Sequence, residues 1–245
     1  MTTVSSFCVI VPAYRAGALV SGVLEELHAH LPESRGHVIV VDDGSHDGCE
    51  ERARAGGAAI VLTHATNLGK GAALLTGMRE ALARGYQTAL TVDADGQHPG
   101  PSCKRVLEAG TPDSLVLGVR DLVRDGAPRL NRFSNGISNF FLSKFAGREL
   151  GDTQCGLRRY PIAETLALDA RAPGYAFEAE IVLLAAAANV PIFEVPVSVT
   201  YPPGKERITH FDSVRDPMRI IGAVVGTAMR TRSKRHRPAA AIGRS

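Results

Sequence analysis

The 245-residue sequence has four cysteines, a net charge of only +3 and no apolar run long enough to cross a bilayer. Cys8, Cys49, Cys103 and Cys155 lie far apart. They form no metal-type pair, and reduced thiols in a cytosolic protein are the simplest reading. The longest apolar stretch near the C-terminus, IIGAVVGTAM at 220–229, falls well short of the roughly 20 residues a spanning helix needs. The N-terminus has no basic residues and its apolar run FCVIV is short, so no secretory leader is expected. The common nucleotide fingerprints are missing too. Gly69-Lys70-Gly71 is followed by Leu74 where a dinucleotide motif needs its last glycine. His64 stands where a P-loop needs glycine, and Gly71 where it needs Ser or Thr. A standard dehydrogenase and a standard P-loop NTPase are excluded.

What is present is an alternation of strand and helix patterns without an internal repeat. FCVIVPAY, HVIVVDDGS, AAIVLTH, TALTV and SLVLGVR read as strands. Between them, 17–31, 47–55 and the glycine-started NLGKGAALLTGMREALARG read as helices. This order predicts an α/β fold, a Rossmann-like, mostly parallel sheet with helices on both faces. The second part holds a predicted amphipathic helix at 130–147, with Phe133, Ile137, Phe140, Phe141 and Phe145. A helix at 177–188, the strand PIFEVPVSVTY, a polar loop at 202–213 and a last amphipathic helix at 216–230, with Pro217 in its first turn, follow. Residues 1–230 are expected to form the folded domain. Residues 231–245 are expected to be a disordered tail. It carries most of the basic run RTRSKRHR, 230–237. Such a run can bind nucleic acid or an anionic membrane, or remain a solvated tail.

Polar groups gather at strand ends: Pro12-Ala13-Tyr14, Asp42-Asp43-Gly44-Ser45 and Asp93-Ala94-Asp95-Gly96-Gln97. Doubly wound sheets keep their ligands at this edge. Together with the TNLGKG loop these segments would make a phosphate and ribose site. Asp42 or Asp43 can accept hydrogen bonds from a base or ribose. Asp93 and Asp95 repel each other, so a cation suits them, and Mg²⁺ or Mn²⁺ prefer such oxygen ligands. Lys70 is placed to assist. In isolation the same aspartates suit a turn, and the phenylalanines of 130–147 suit a core. Glu178 and Glu180 are two apart and cannot share a helix face. One is expected in solvent, the other near a substrate.

CVIVPAY, VVDDGSHDG, TNLGKGAALLTGMREAL, TVDADGQH, LVLGVR, GDTQCGLRRY and GYAFEAEI together resemble, in order, the blocks of family 2 glycosyltransferases, over about residues 7–210. The branch most resembled is that of the dolichyl- or polyprenyl-phosphate mannosyl- and glucosyltransferases. The resemblance implies a GT-A fold, a UDP- or GDP-sugar donor, Mg²⁺ or Mn²⁺, and an inverting displacement. It implies that Pro12, Ala13, Tyr14, Asp42, Asp43, Lys70, Asp93, Ala94 and Asp95 hold the nucleotide sugar. Asp93, Asp95 and Gln97 would hold the metal, and Asp95 and Asp152 would be catalytic. Asp152, in GDTQCG, matches an acid near the acceptor. A base is needed for a hydroxyl acceptor but not for a lipid phosphate, which is already ionised. Arg120, Arg129, Arg132 and Arg158 are candidates to grip that phosphate as forks. Lys205 and Arg207 would close over the substrates. The sequence departs from the family at Arg15-Ala16, where relatives often carry Asn-Glu, which leaves the donor base open. The expected setting is cytoplasmic, peripheral on the inner membrane face, with the aromatic helix and the last helix laid on the lipid and no nucleic acid partner. Alternatives are a hydroxyl acceptor on a pigment, polyene or glycan, and a non-catalytic nucleotide-sugar-binding protein.

Overall fold

The computed structural model describes residues 6–127, 129–200, 220–227 and 229–230. Its core is a seven-stranded sheet in the order β3-β2-β1-β4-β6-β5-β7. The strands are β1 (Phe7–Ala13), β2 (Val38–Asp42), β3 (Ile60–Thr63), β4 (Thr88–Thr91), β5 (Leu115–Arg120), β6 (Arg158–Pro161) and β7 (Ile192–Val197). β6 runs antiparallel to both its neighbours, and every other pairing is parallel. The mostly parallel sheet is the one the sequence predicts. β6 is an addition: two arginines and a proline hide it from any apolar pattern.

Residues of one strand alternate between two apolar layers. Cys8 and Ile10 of β1 and Ile39 and Val41 of β2 face one layer. Val9, Val11, Val38 and Val40 face the other. The first layer is built on α3 (Lys70–Ala83), α5 (Arg129–Ala146), α6 (Ile162–Ala167) and α7 (Ala176–Ala187). The second is built on α1 (Gly17–His30), α2 (Cys49–Ala55) and α4 (Gly100–Glu108). Strands covered on both sides must be apolar on both sides, and β1 and β2 are. All four cysteines are free and buried.

α7 is apolar almost all round, and Phe177, Glu178 and Glu180 are buried on it. Neither acid is in solvent, which corrects the expectation for that pair. A helix closed in on nearly every side has no wet face to assign. A final helical segment covers 220–227, with Ile220 and Val224 packed into the first layer. Pro217, the loop at 202–213 and the tail at 231–245 lie outside the described residues.

Candidate active site

The site lies along the C-terminal ends of β1, β2 and β4, where the start of α3 meets them. Two glycines shape that start. Gly69 sits at φ +93°, a region that favours glycine. A Cβ on Gly71 would stand 2.6 Å from Cβ of Phe177, so no larger residue lets α3 approach α7 this closely. Between them Lys70 sends its ammonium inward, 2.7 Å from Asp93 Oδ1 and 3.1 Å from Glu178 Oε2. The two acids hold Lys70 above its ordinary value, although burial alone would lower it.

Asp93 follows β4, and its neighbour across the sheet is Gly156, just before β6. A Cβ on Gly156 would collide with the Asp93 carboxylate. Thr91 Oγ1 donates to Gly156 O at 2.9 Å, which fixes that approach. Burial would raise Asp93, but Lys70, His98 and Arg120 outweigh it and hold the carboxyl below its ordinary range. Asp95 goes the other way: burial first, then the Asp93 charge, push it up to about 6. Gln97 N donates to Asp95 Oδ1 at 3.0 Å. His98 is lowered to about 4 chiefly by burial, so its ring is neutral near pH 7, and its Nδ1 is buried without a hydrogen-bond partner.

Asp43, expected to touch the ligand, is spent on the fold. Its carboxylate accepts from Leu68 N at 2.9 Å and Gly69 N at 2.7 Å, and pairs with His64 Nδ1 at 2.6 Å. His64 Nε2 in turn meets Thr76 Oγ1 at 3.0 Å. This chain ties the DDGS loop to the start of α3. Asp42 Oδ1 accepts from Ser45 N at 3.1 Å and from the Ser45 hydroxyl. Arg15 N donates to the same hydroxyl at 2.8 Å, so the Pro12-Ala13-Tyr14 segment is joined to the same loop, with Ala13 buried and Pro12 and Tyr14 half-buried.

The second half of the site surrounds Asp152, buried between β5 and α5. Arg120, the last residue of β5, grips it as a fork, Nε to Oδ2 at 2.6 Å and Nη2 to Oδ1 at 3.1 Å. Asn135 Nδ2 adds a bond to Oδ1 at 2.8 Å and Gln154 N another at 3.1 Å. Burial would raise Asp152, but Arg120 and these donors hold it below the ordinary carboxylate range. Beside it opens a cleft of about 540 Å³ whose lining includes Arg120, Arg124, Arg132 and Asn135. Arg120 also lowers Asp93, so the two halves share one electrostatic field.

Arg129 is exposed on α5 and is not among the cleft-lining residues. The expectation for Arg158 is corrected. It is fully buried, and its Nε, Nη1 and Nη2 donate to the carbonyls of Cys155, Glu178 and Thr153, each at 2.8 Å. It fastens α7 to the loop that carries Asp152 and presents no edge to a substrate. Lys205 and Arg207 lie outside the described residues. Residues not singled out from sequence are Arg124, Asn135, His64 and His98. His64 ties together the two loops that the sequence does mark. Asn135 had no such signal: it is buried beside Ser134 and Ser138, while the phenylalanines Phe133 and Phe140 of the same helix are exposed.

Seven strands in this order, an acid pair at the exit of β4 and an arginine-lined cleft beside it define a transferase of the GT-A fold class. A family comparison makes this specific. The chain belongs to the family described as glycosyl transferase family 2, whose model matches residues 8–161. It is 31% identical over 199 residues to the undecaprenyl-phosphate mannosyltransferase of Micrococcus luteus, covering 77% of this chain and 81% of that one. It is 31% identical over 209 residues to the polyprenol monophosphomannose synthase of Mycolicibacterium smegmatis, covering 78% and 76%. Among solved structures it is similar to the glucosyl-3-phosphoglycerate synthase of Mycobacterium tuberculosis in complex with Mn²⁺, UDP-glucose and phosphoglyceric acid. The TM-score is 0.68 at 22% identity, over 92% of this chain and 80% of that one.

Proposed function

We propose that this enzyme moves a sugar from a nucleoside-diphosphate donor to the phosphate of a polyprenyl-type lipid, with inversion at the anomeric carbon. The observation that carries the reading is the state of Asp152. Both its oxygens are occupied by Arg120, Asn135 and Gln154, and its proton affinity is depressed. A carboxylate in that state is a poor acceptor of a proton from a hydroxyl. It is a positioning group that aims Arg120 into the cleft. Asp121, at the cleft's rim, spends Oδ1 on Val123 N and Arg124 N. Among the described residues the cleft lining offers three arginines, Arg120, Arg124 and Arg132, against one carboxylate, Asp121, half engaged by its own turn. That suits an acceptor ionised before it arrives, such as a phosphate monoester, and disfavours the hydroxyl alternative. The names of the two relatives point to the same acceptor class.

In this reading Tyr14, Asp42 and the neighbouring backbone hold the nucleoside, and Lys70 lies near the diphosphate. Asp93 and Asp95 fit a hard divalent ion: their donors are oxygens, and burial, then the nearby Asp93 charge, push Asp95 up to about 6. Among the described residues no three His, Cys, Asp or Glu side chains gather as a cage. Asp93 and Asp95 would hold such an ion together with Gln97, with water and diphosphate oxygens supplying the remaining donors. When bound, Mg²⁺ or Mn²⁺ neutralises charge on the departing diphosphate. Arg120 and Arg132 orient the acceptor oxygen for in-line attack, work of placement rather than proton transfer.

A bilayer contact on α5 completes the reading. Leu130, Phe133 and Phe140 are exposed on one stripe of that helix, and Val123 is exposed in the loop before it. Arg132 and Asn135 of the same helix line the cleft. Among the described residues no helix is long and apolar enough to cross a membrane, so the contact would be peripheral. The test supplies labelled UDP- and GDP-sugars with Mn²⁺ and either a polyprenyl phosphate or the matching alcohol. Label is expected in the phosphate lipid alone. Transfer to the alcohol would overturn the reading.

A further inference from the structure

We propose that Lys70 is an internal counter-cation of the ion site, holding Asp93 until a divalent ion arrives and then withdrawing onto Glu178. The inference rests on the metal reading of Asp93 and Asp95. Its geometry is a single ammonium shared by two acids from different elements, 2.7 Å from Asp93 Oδ1 and 3.1 Å from Glu178 Oε2. The Lys70 side chain is only 13% exposed. An ion bound to Asp93 meets that ammonium at contact distance, and like charges so close exclude each other.

The backbone around Lys70 is pinned. Gly69 is committed to its positive φ, and Gly71 is pressed against Phe177. Only the side chain is left to move, and it has a destination. Glu178 already accepts through Oε2, and its Oε1 is buried with no hydrogen-bond partner. Arg158 Nε lies 3.8 Å from that oxygen, outside hydrogen-bond range. The destination is also fixed in space, because Arg158 Nη1 holds the Glu178 carbonyl at 2.8 Å. A short rotation therefore carries the ammonium from two half-shared acids onto one.

The arrangement sets the order of binding. Without an ion, Lys70 prevents Asp93 and Asp95 from facing each other as bare charges. It also lowers the affinity for a free ion, so the ion is held firmly only when a diphosphate adds its oxygens. Coupling of this kind between two cations at one acid amounts to a 5–150-fold change in affinity.

Mn²⁺ titration followed by electron paramagnetic resonance, with and without UDP or GDP, tests this without reference to turnover. Lys70→Met is expected to bind Mn²⁺ on the order of tenfold more tightly than wild type when no nucleotide is present. Glu178→Gln removes the destination and is expected to bind it more weakly. Should Lys70→Met fail to fold, Lys70→Gln takes its place and is expected to tighten binding likewise. Unchanged or weaker binding by the Lys70 variants, or unchanged binding by Glu178→Gln, overturns the proposal. If wild type takes up no Mn²⁺ even with nucleotide, the metal reading itself falls and this inference with it. That pattern is distinct from a failure confined to the variants.

Discussion

Asp152 shows how a residue's neighbours decide its role. A carboxylate beside an acceptor invites the role of base, yet five hydrogen bonds from Arg120, Asn135 and Gln154 converge on it. Removing one member of a buried ion pair leaves the other uncompensated and costs about 3–5 kcal/mol. Asp152→Asn is therefore expected to lower unfolding stability by an amount near the bottom of that range, since the amide keeps an acceptor. It should also raise the acceptor KM severalfold while leaving the shape of the pH–rate profile unchanged. A profile that lost its acid limb would identify Asp152 as a base. The sign of the stability effect with pH follows from the same shift. The folded-state value lies below the ordinary 3.8, so the stabilisation is complete above 3.8 and is lost as pH falls through the lower folded value. Urea unfolding from about pH 5 down to about pH 2 should show wild type losing stability on acidification more steeply than Asp152→Asn.

Elements act here through their close approaches. β4 and β6 run antiparallel and bring Gly156 against the Asp93 carboxylate. Gly156→Ala should leave the sheet intact, because the side chain it strikes can rotate. It should displace Asp93 and cut turnover by about 100-fold, a transition-state loss of roughly 2.7 kcal/mol. Full activity in that variant would show that Asp93 need not sit where it does. This scale also marks what the sequence made legible. The alternation of apolar strands and helices was readable because sheets covered on both faces leave a period and a length in the chain. The acid pair was readable because it stands at a strand's exit. β6 was not, since Arg158 and Arg159 occupy a strand with no apolar signature. The fate of Arg158 depends on three carbonyls up to 20 residues away, which no local pattern encodes. Asp43 likewise depends on His64, 21 residues on. Glu178 and Glu180 were misplaced because a spacing rule assumes one wet face, and α7 has almost none.

The whole molecule places an apolar stripe and an arginine cleft on one helix, α5. If that side meets lipid, Phe133→Glu with Phe140→Glu should leave the melting temperature unchanged, because both rings are exposed. Sedimentation with anionic vesicles should fall by about tenfold, which corresponds to roughly 1.4 kcal/mol of lost apolar contact. Unaltered sedimentation would remove α5 from the membrane contact. The central claim is narrower: the attacking oxygen belongs to a phosphate. Phosphorus-31 NMR of the purified lipid product tests it most directly. The account predicts that the lipid's phosphomonoester signal is replaced by that of a phosphodiester joining sugar and lipid. A monoester signal that persists while the sugar is attached elsewhere would contradict it.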